Sequence, residues 1–198
     1  YGPVSASVSS VGSADLIIEG DNTQDRLGAA LVLRGDFNGD GTDDLVLGAP
    51  YDDANTPDAG IAFVLFGNTT SSGTIYAADT DLGFYGKGTN DHTGSALSYV
   101  SDIDGDGKDE LLLAAPDQKN NGAASGVVYL TYGSSTSMAT GATINSGAAG
   151  DGLGWALDVA GDTDGNGVVE LALGAAGVDG ATTSTDKGAL YLLGVAAY

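Results

Sequence analysis

No cysteine occurs in the chain, so no disulfide can staple the fold. Histidine and tryptophan occur once each, and only 6 residues are Lys or Arg, against 27 Asp or Glu. A formal charge of −21 leaves no basic patch for nucleic-acid phosphates and disfavours an anionic membrane surface. The apolar runs are too short to span a bilayer. Glutamate is scarce as well: it supplies 3 of the acids and aspartate the other 24. Helix surfaces are built largely from Glu, Lys, Arg and Gln, so their shortage argues against helices. What abounds is Asp together with 33 Gly, the residues of tight turns. The 198 residues suffice for one domain with a sizeable core. The composition therefore points to short strands joined by many turns, with a surface that repels itself unless cations offset it.

One unit occurs three times. The first copy holds Leu27-Gly28-Ala29-Ala30-Leu31, then Asp36 to Asp44, then Leu45-Val46-Leu47-Gly48-Ala49-Pro50. The second holds Thr93-Gly94-Ser95-Ala96-Leu97, Asp102 to Glu110, and Leu111-Leu112-Leu113-Ala114-Ala115-Pro116. The third holds Leu153-Gly154-Trp155-Ala156-Leu157, Asp162 to Glu170, and Leu171-Ala172-Leu173-Gly174-Ala175-Ala176. The spacing is 102 − 36 = 66 and then 162 − 102 = 60 residues. Gly60 to Gly67, Gly126 to Gly133 and Gly188 to Gly194 form a second landmark in step with the first. The β-prone pieces Thr74-Ile75-Tyr76 and Ala142-Thr143-Ile144 follow, with Asp15 to Ile18 as their counterpart ahead of the first copy. About four strands per unit is the content of a propeller blade. Runs that are apolar at every position suit strands covered on both faces, as neighbouring blades would cover them. A β-sandwich would not explain the repeat. The expected fold is all-β, made of three blades in one propeller-type unit. Residues 1–13 would be an end strand and linker from a preceding blade, with repeats over 14–78, 79–145 and 146–198.

The acidic segments read D-x-[DN]-x-[DN]-G-x-x-[DE]. Oxygens at positions one, three and five converge when such a loop curls round an ion, Gly at six allows the sharp turn, and position seven offers its carbonyl. Position nine adds a carboxylate. An EF-hand needs Glu at position twelve, but that position holds Leu47, Leu113 and Leu173 here, so a hairpin loop between strands is expected instead. The first site comprises Asp36, Asn38, Asp40, Thr42 through its carbonyl, and Asp44. The second comprises Asp102, Asp104, Asp106, the Lys108 carbonyl and Glu110. The third comprises Asp162, Asp164, Asn166, the Val168 carbonyl and Glu170. An all-oxygen donor set points to Ca²⁺ rather than zinc, with Mg²⁺ less suited. Three such ions would bring −21 to −15.

These residues resemble the FG-GAP repeat, the unit of the integrin α-subunit β-propeller. The likeness rests on the Gly-containing strand before the loop, the nine-residue acidic loop, Gly48-Ala49-Pro50 after it, and the Gly-led strand ending in Phe66-Gly67. It runs over roughly residues 14 to 194 and is also similar in style to arrays on bacterial surface proteins. The third copy departs from the pattern at Ala176 and Asn166. The resemblance implies an extracellular or cell-surface module for adhesion, protein recognition or self-assembly, with structural calcium. Its partners would be other protein chains, further copies of itself, or glycans, with no nucleic acid and no membrane insertion.

Catalytic groups are sparse. His92 lies beside Asp91 and near Ser95 and Ser98, but its place in the repeat is a turn before a strand. No nucleotide-binding loop is present. A non-enzymatic role is expected; a carbohydrate-active or hydrolytic propeller segment and a subunit of an extracellular fibre are the alternatives. Tyr51, Tyr76, Tyr85 and Tyr132 are expected mainly to pack blades, and Trp155 to lie in the core. Three blades fall short of the four to eight that close a propeller. Tyr1-Gly2-Pro3 matches Phe66-Gly67-Asn68, so a segment of a longer propeller is expected. Two copies completing a ring, or copies stacking through the residues near Tyr1 to Val4 and Leu190 to Tyr198, are the other arrangements.

Overall fold

A computed structural model describes residues 14–68, 72–120, 124–179 and 186–195. Thirteen strands occur among them, with one 3-10 turn at Ala77–Asp79 and no α-helix. The first four-stranded antiparallel sheet takes β2 (Ala30–Gly35), β3 (Asp44–Ala49), β4 (Ile61–Leu65) and β6 (Leu82–Tyr85) in that order. The second takes β7 (Leu97–Val100), β8 (Glu110–Ala115), β9 (Val127–Thr131) and β10 (Thr140–Asn145). The third holds β11 (Leu153–Gly161), β12 (Val169–Ala175) and β13 (Ala189–Val195). A separate parallel pair joins β1 (Leu16–Glu19) to β5 (Gly73–Tyr76). The first strands of adjacent sheets meet, β2 on β7 and β11 on β7.

These sheets are propeller blades, and their packing explains the uniformly apolar strands. Side chains alternate across a strand, so one strand serves two neighbours. In β8, Leu111, Leu113 and Ala115 join Val46, Ala62, Val64 and Phe84 of the first blade in one core. The intervening Leu112 and Ala114 join Leu153, Leu171, Leu173 and Ala175 of the third blade in another. All six residues of β8 are buried. Gly35 is required where two blades meet, because a methyl group there would overlap the Tyr99 ring.

Several expectations change. The piece at 74–76 is not the fourth strand of the first blade. It pairs with β1, and β6 takes the outer position beside β4. The sequence repeats 14–78 and 79–145 are thus out of phase with the blades by one strand, since β6 belongs to the first sheet. Leu45 is half-buried rather than buried, while Leu111 and Leu171 are sealed. The face that carries Ala49, Ile61 and Phe63 packs on Ala77 and Leu27 instead of on a blade. Trp155 does not lie in the core: 57% of it is exposed. The pairing of β11 with β12 is irregular between Leu153 and Ala156, and this bulge breaks the alternation that would have turned Trp155 inward. Tyr76 and Tyr85 are exposed rather than packed between blades, and Tyr132 is about one-third so. The residues of the matching Tyr1-Gly2-Pro3, of the Tyr1 to Val4 contact and of the 1–13 linker lie outside the described residues, as do 196–198.

Candidate metal centres

The three acidic loops join the first strand of each blade to the second. They adopt one backbone. Position four is left-handed at Gly39, Gly105 and Gly165, with φ of 78°, 80° and 77°. Position six repeats this at Gly41, Gly107 and Gly167, with φ of 85°, 85° and 84°. Only glycine adopts this region without strain, so the two glycines set the curl.

The side chains then organise the backbone identically in each copy. At position one, Asp36 accepts hydrogen bonds from Gly39 N (2.7 Å) and Gly41 N (2.7 Å). Asp102 does so from Gly105 N (2.7 Å) and Gly107 N (3.0 Å), and Asp162 from Gly165 N (2.7 Å) and Gly167 N (2.9 Å). At position three, Asn38, Asp104 and Asp164 each accept from the backbone N–H two residues on. At position five, Asp40, Asp106 and Asn166 do the same, reaching Thr42 N, Lys108 N and Val168 N. Carboxylate oxygens gather as a result. One from each of Asp102, Asp104 and Asp106 lies within 4.8 Å of the others, and so does one from each of Asp162, Asp164 and Glu170. In the first loop Asn38 stands between two acids, and its amide donates to Asp40 (3.2 Å). The other loops use donors at different positions: the Lys108 ammonium at position seven meets Asp106, and the Asn166 amide at position five donates to Asp164. Lys108 holds the Asp106 carboxyl below its usual value, and Asp106 raises Lys108.

Position nine sits at the head of a buried strand, and the three copies differ there. Asp44 is fully buried and saturated: it accepts from Phe37 N (2.8 Å), Asn38 N (3.2 Å) and Gly67 N (2.8 Å). Burial pushes its carboxyl up against the pull of those three donors. Glu170 accepts from Thr163 N (2.6 Å) and Thr163 Oγ1 (2.7 Å) and still reaches the acids of its own loop. Glu110 accepts from Ile103 N (2.8 Å) through one oxygen, while its buried Oε1 meets no hydrogen-bond partner in good geometry. The Gly133 N–H favours the charged form. Burial nevertheless wins and, with Asp104 and Asp102 adding repulsion, pushes Glu110 up to about 7. An orphaned buried carboxylate oxygen beside an all-oxygen acidic cluster fits a hard divalent cation.

Position eight carries a role that the sequence did not disclose. The Asp109 carboxylate accepts from Asp102 N (3.1 Å) in its own loop and from Asp36 N (2.9 Å) in the loop of the preceding blade. Asp109 N donates in return to the Asp36 carbonyl (2.9 Å). One side chain therefore clasps two loops. Asp43 and Val169 occupy the same position in the other copies, and nothing in the nine-residue pattern marks it.

The lone histidine is a turn residue, left-handed at φ 53°. Its Nδ1 meets Asp117 (2.6 Å), and its ring lies 4.6 Å from that of Tyr51, over which Arg26 is stacked. Ser95 Oγ donates to the His92 carbonyl, not to the ring, and Ser98 Oγ reaches Tyr99 and Asp158.

Antiparallel blades, two of four strands and a third with three among the described residues, each bearing an acidic hairpin loop between its first two strands, define a propeller-blade repeat protein. The chain belongs to the FG-GAP, integrin alpha-like family: the FG-GAP repeat model matches residues 27–65 and 93–130. Integrin alpha-4 of Xenopus laevis is 30% identical over 156 residues, 74% of this chain and 14% of that protein. Integrin alpha-PS2 of Drosophila melanogaster is 34% identical over 105 residues, 50% of this chain and 7% of that one. Integrin alpha pat-2 of Caenorhabditis briggsae is 32% identical over 100 residues, 50% and 8%. The chain thus spans a small part of the length of these relatives. Among the described residues no helix is long and apolar enough to cross a membrane.

Proposed function

We propose that the chain is an extracellular, calcium-binding propeller module that serves adhesion or protein recognition, and that its calcium is structural. The observation that carries this reading is the threefold recurrence of one loop backbone, with carboxylate oxygens gathered within 4.8 Å of one another in the second and third loops. Asp36, Asn38, Asp40, the Thr42 carbonyl and Asp44 would serve the first ion. Asp102, Asp104, Asp106, the Lys108 carbonyl and Glu110 would serve the second, and Asp162, Asp164, Asn166, the Val168 carbonyl and Glu170 the third. A bound cation supplies positive charge where carboxylates crowd. The chain's own groups do the rest: Gly turns close each loop, and Asp109 couples two of them.

The repeats 14–78, 79–145 and 146–198 act as successive blades of one unit, with β6 at the start of the second repeat completing the first blade. Modest-affinity loops suit the millimolar calcium outside cells, which supports an extracellular or cell-surface location. The partners are other protein chains, glycans or further copies of this one, in keeping with integrin alpha relatives and with the broad surfaces of repeat proteins. We read the module as non-enzymatic. The His92 ring is engaged by Asp117 and Tyr51, and neither nearby serine hydroxyl reaches it. Calcium titration of the chelated chain with thermal melting tests the proposal: a rise in melting temperature supports it, and an unchanged melting temperature overturns it.

A further inference from the structure

The first and second acidic loops are joined to each other, and the second and third are not. Asp109, at position eight of the second loop, accepts from Asp36 N (2.9 Å) and Asp102 N (3.1 Å), and its own N–H donates to the Asp36 carbonyl (2.9 Å). Asp36 and Asp102 are the position-one residues, so one carboxylate holds the residues from which both loops start. Packing reinforces the clasp. A methyl group on Gly39 of the first loop would meet the Lys108 side chain of the second at 2.9 Å. One on Gly133 would meet the Phe37 and Asp109 carbonyls at 2.9 and 2.8 Å, one from each loop. Only a residue without a side chain lets the backbone come this near.

The next junction lacks all three contacts. Position eight of the third loop is Val169, which offers no side-chain acceptor. Gly105 is the counterpart of Gly39, and a methyl group there would meet nothing within 4 Å. Thr131 faces Leu111 and Leu193 faces Leu171, so two residues further on Val195 stands in the place of Gly133. Among the described residues no hydrogen bond joins the second loop to the third.

We propose that Asp109 makes the first two loops one cooperative calcium-binding unit, while the third loop binds independently. The inference rests on the calcium reading above and deepens it. Closing the first loop fixes the Asp36 backbone, which holds the Asp109 carboxylate where the Asp102 N–H meets it. Order imposed on one loop then need not be imposed again on the other, and that is positive coupling. Repulsion between two divalent ions works against it. The carboxylates of each loop and the charge of Asp109 between them offset that repulsion, and solvent screens the remainder. Asp109 is thus a positioning residue rather than a ligand. The coupling is reciprocal: each filled loop raises the affinity of the other by the same factor, here at least about fivefold.

Calcium titration under native mass spectrometry measures the factor. D36N, D102N and D162N each disable one loop. Two of these substitutions together leave a single loop and give its own binding constant, whereas one leaves a pair of loops and gives the constant for filling both. The pair constant divided by the two single constants is the coupling. D162N, which keeps the first and second loops, should give at least about fivefold, and D36N, which keeps the second and third, a value near unity. Each substitution also removes charge near the neighbouring loop, but it does so at both junctions, so the contrast between them survives. D109V introduces the residue of the third copy and should abolish the coupling in the D162N chain. A side chain that merely stabilised its own loop would alter the single constants and leave the coupling in place. Coupling of equal size at the two junctions, or coupling that persists in D109V, overturns the proposal. The contrast between junctions decides even if D109V does not fold. Three ions bound without that contrast sink the coupling alone, whereas a wild-type chain that takes up no ion sinks the calcium reading with it.

Discussion

Replacing Glu110 with Gln should stabilise the calcium-free chain and weaken its response to calcium, two effects of opposite sign. Glu110 is buried with Oε1 unpartnered, and its carboxyl rises from 4.5 to about 7. A group with a raised folded pKa contributes stability that is full below its unfolded value and lost as pH rises through the folded one. Calcium-free protein should therefore lose this contribution between about pH 4.5 and pH 7. With about 1.36 kcal/mol per pKa unit, the ionised side chain costs about 3 kcal/mol at pH 8. E110Q removes the charge and keeps an acceptor for Ile103 N–H. At about 2–4 °C per kcal/mol for a chain of this size, its melting temperature in chelator at pH 8 should rise by about 6–12 °C. Asp44, Asp52 and Asp91 are also raised by burial, but they are common to both proteins. The difference between wild type and variant isolates Glu110. In calcium the order should reverse, since the variant forfeits a charged ligand. Melting curves from pH 4.5 to pH 8, with calcium or chelator, read all of this. An E110Q chain that melts lower than wild type in chelator, or that gains as much from calcium, would refute the reasoning.

Leu111 has no exposed surface and sits where two blades meet; L111A should cost about 2–5 kcal/mol in urea unfolding, with or without calcium. D109A leaves the Asp36 and Asp102 N–H groups without their shared acceptor and should cost about 1–3 kcal/mol by the same assay. G35A drives a methyl group into the Tyr99 ring, so it should open the contact between the first two blades and raise protease cleavage there. H92A removes the half-buried contact with Asp117 and should change stability by no more than about 1 kcal/mol.

The blade architecture was legible because two signals coincide: a 60- to 66-residue period, and strands apolar at every position. The structure explains the second signal, since Leu111 and Leu112 face different neighbours. The loop pattern was legible because oxygen-bearing side chains alternate at positions one, three and five ahead of Gly at six, whereas the left-handed glycine at position four emerges only from the structure. What escaped depends on tertiary context. Leu82–Tyr85 reads as weakly as Thr74–Tyr76, and only pairing with β4 decides which one joins the blade. Trp155 was misplaced because a bulge, invisible in the periodicity, shifts the alternation. Asp109 escaped because its partner, Asp36, lies 73 residues away. The saturation of Asp44 by three backbone donors, against the orphaned oxygen of Glu110, likewise follows from packing rather than from residue type.

The central claim is that each of the three loops holds one calcium ion, and counting the ions tests it most directly. Chelated chain titrated with calcium under native mass spectrometry should take up three ions. D36N, D102N and D162N each withdraw a position-one carboxylate while leaving an acceptor for the loop backbone, so each variant should take up two. A wild-type chain that binds no calcium, or variants that still bind three, would contradict the account.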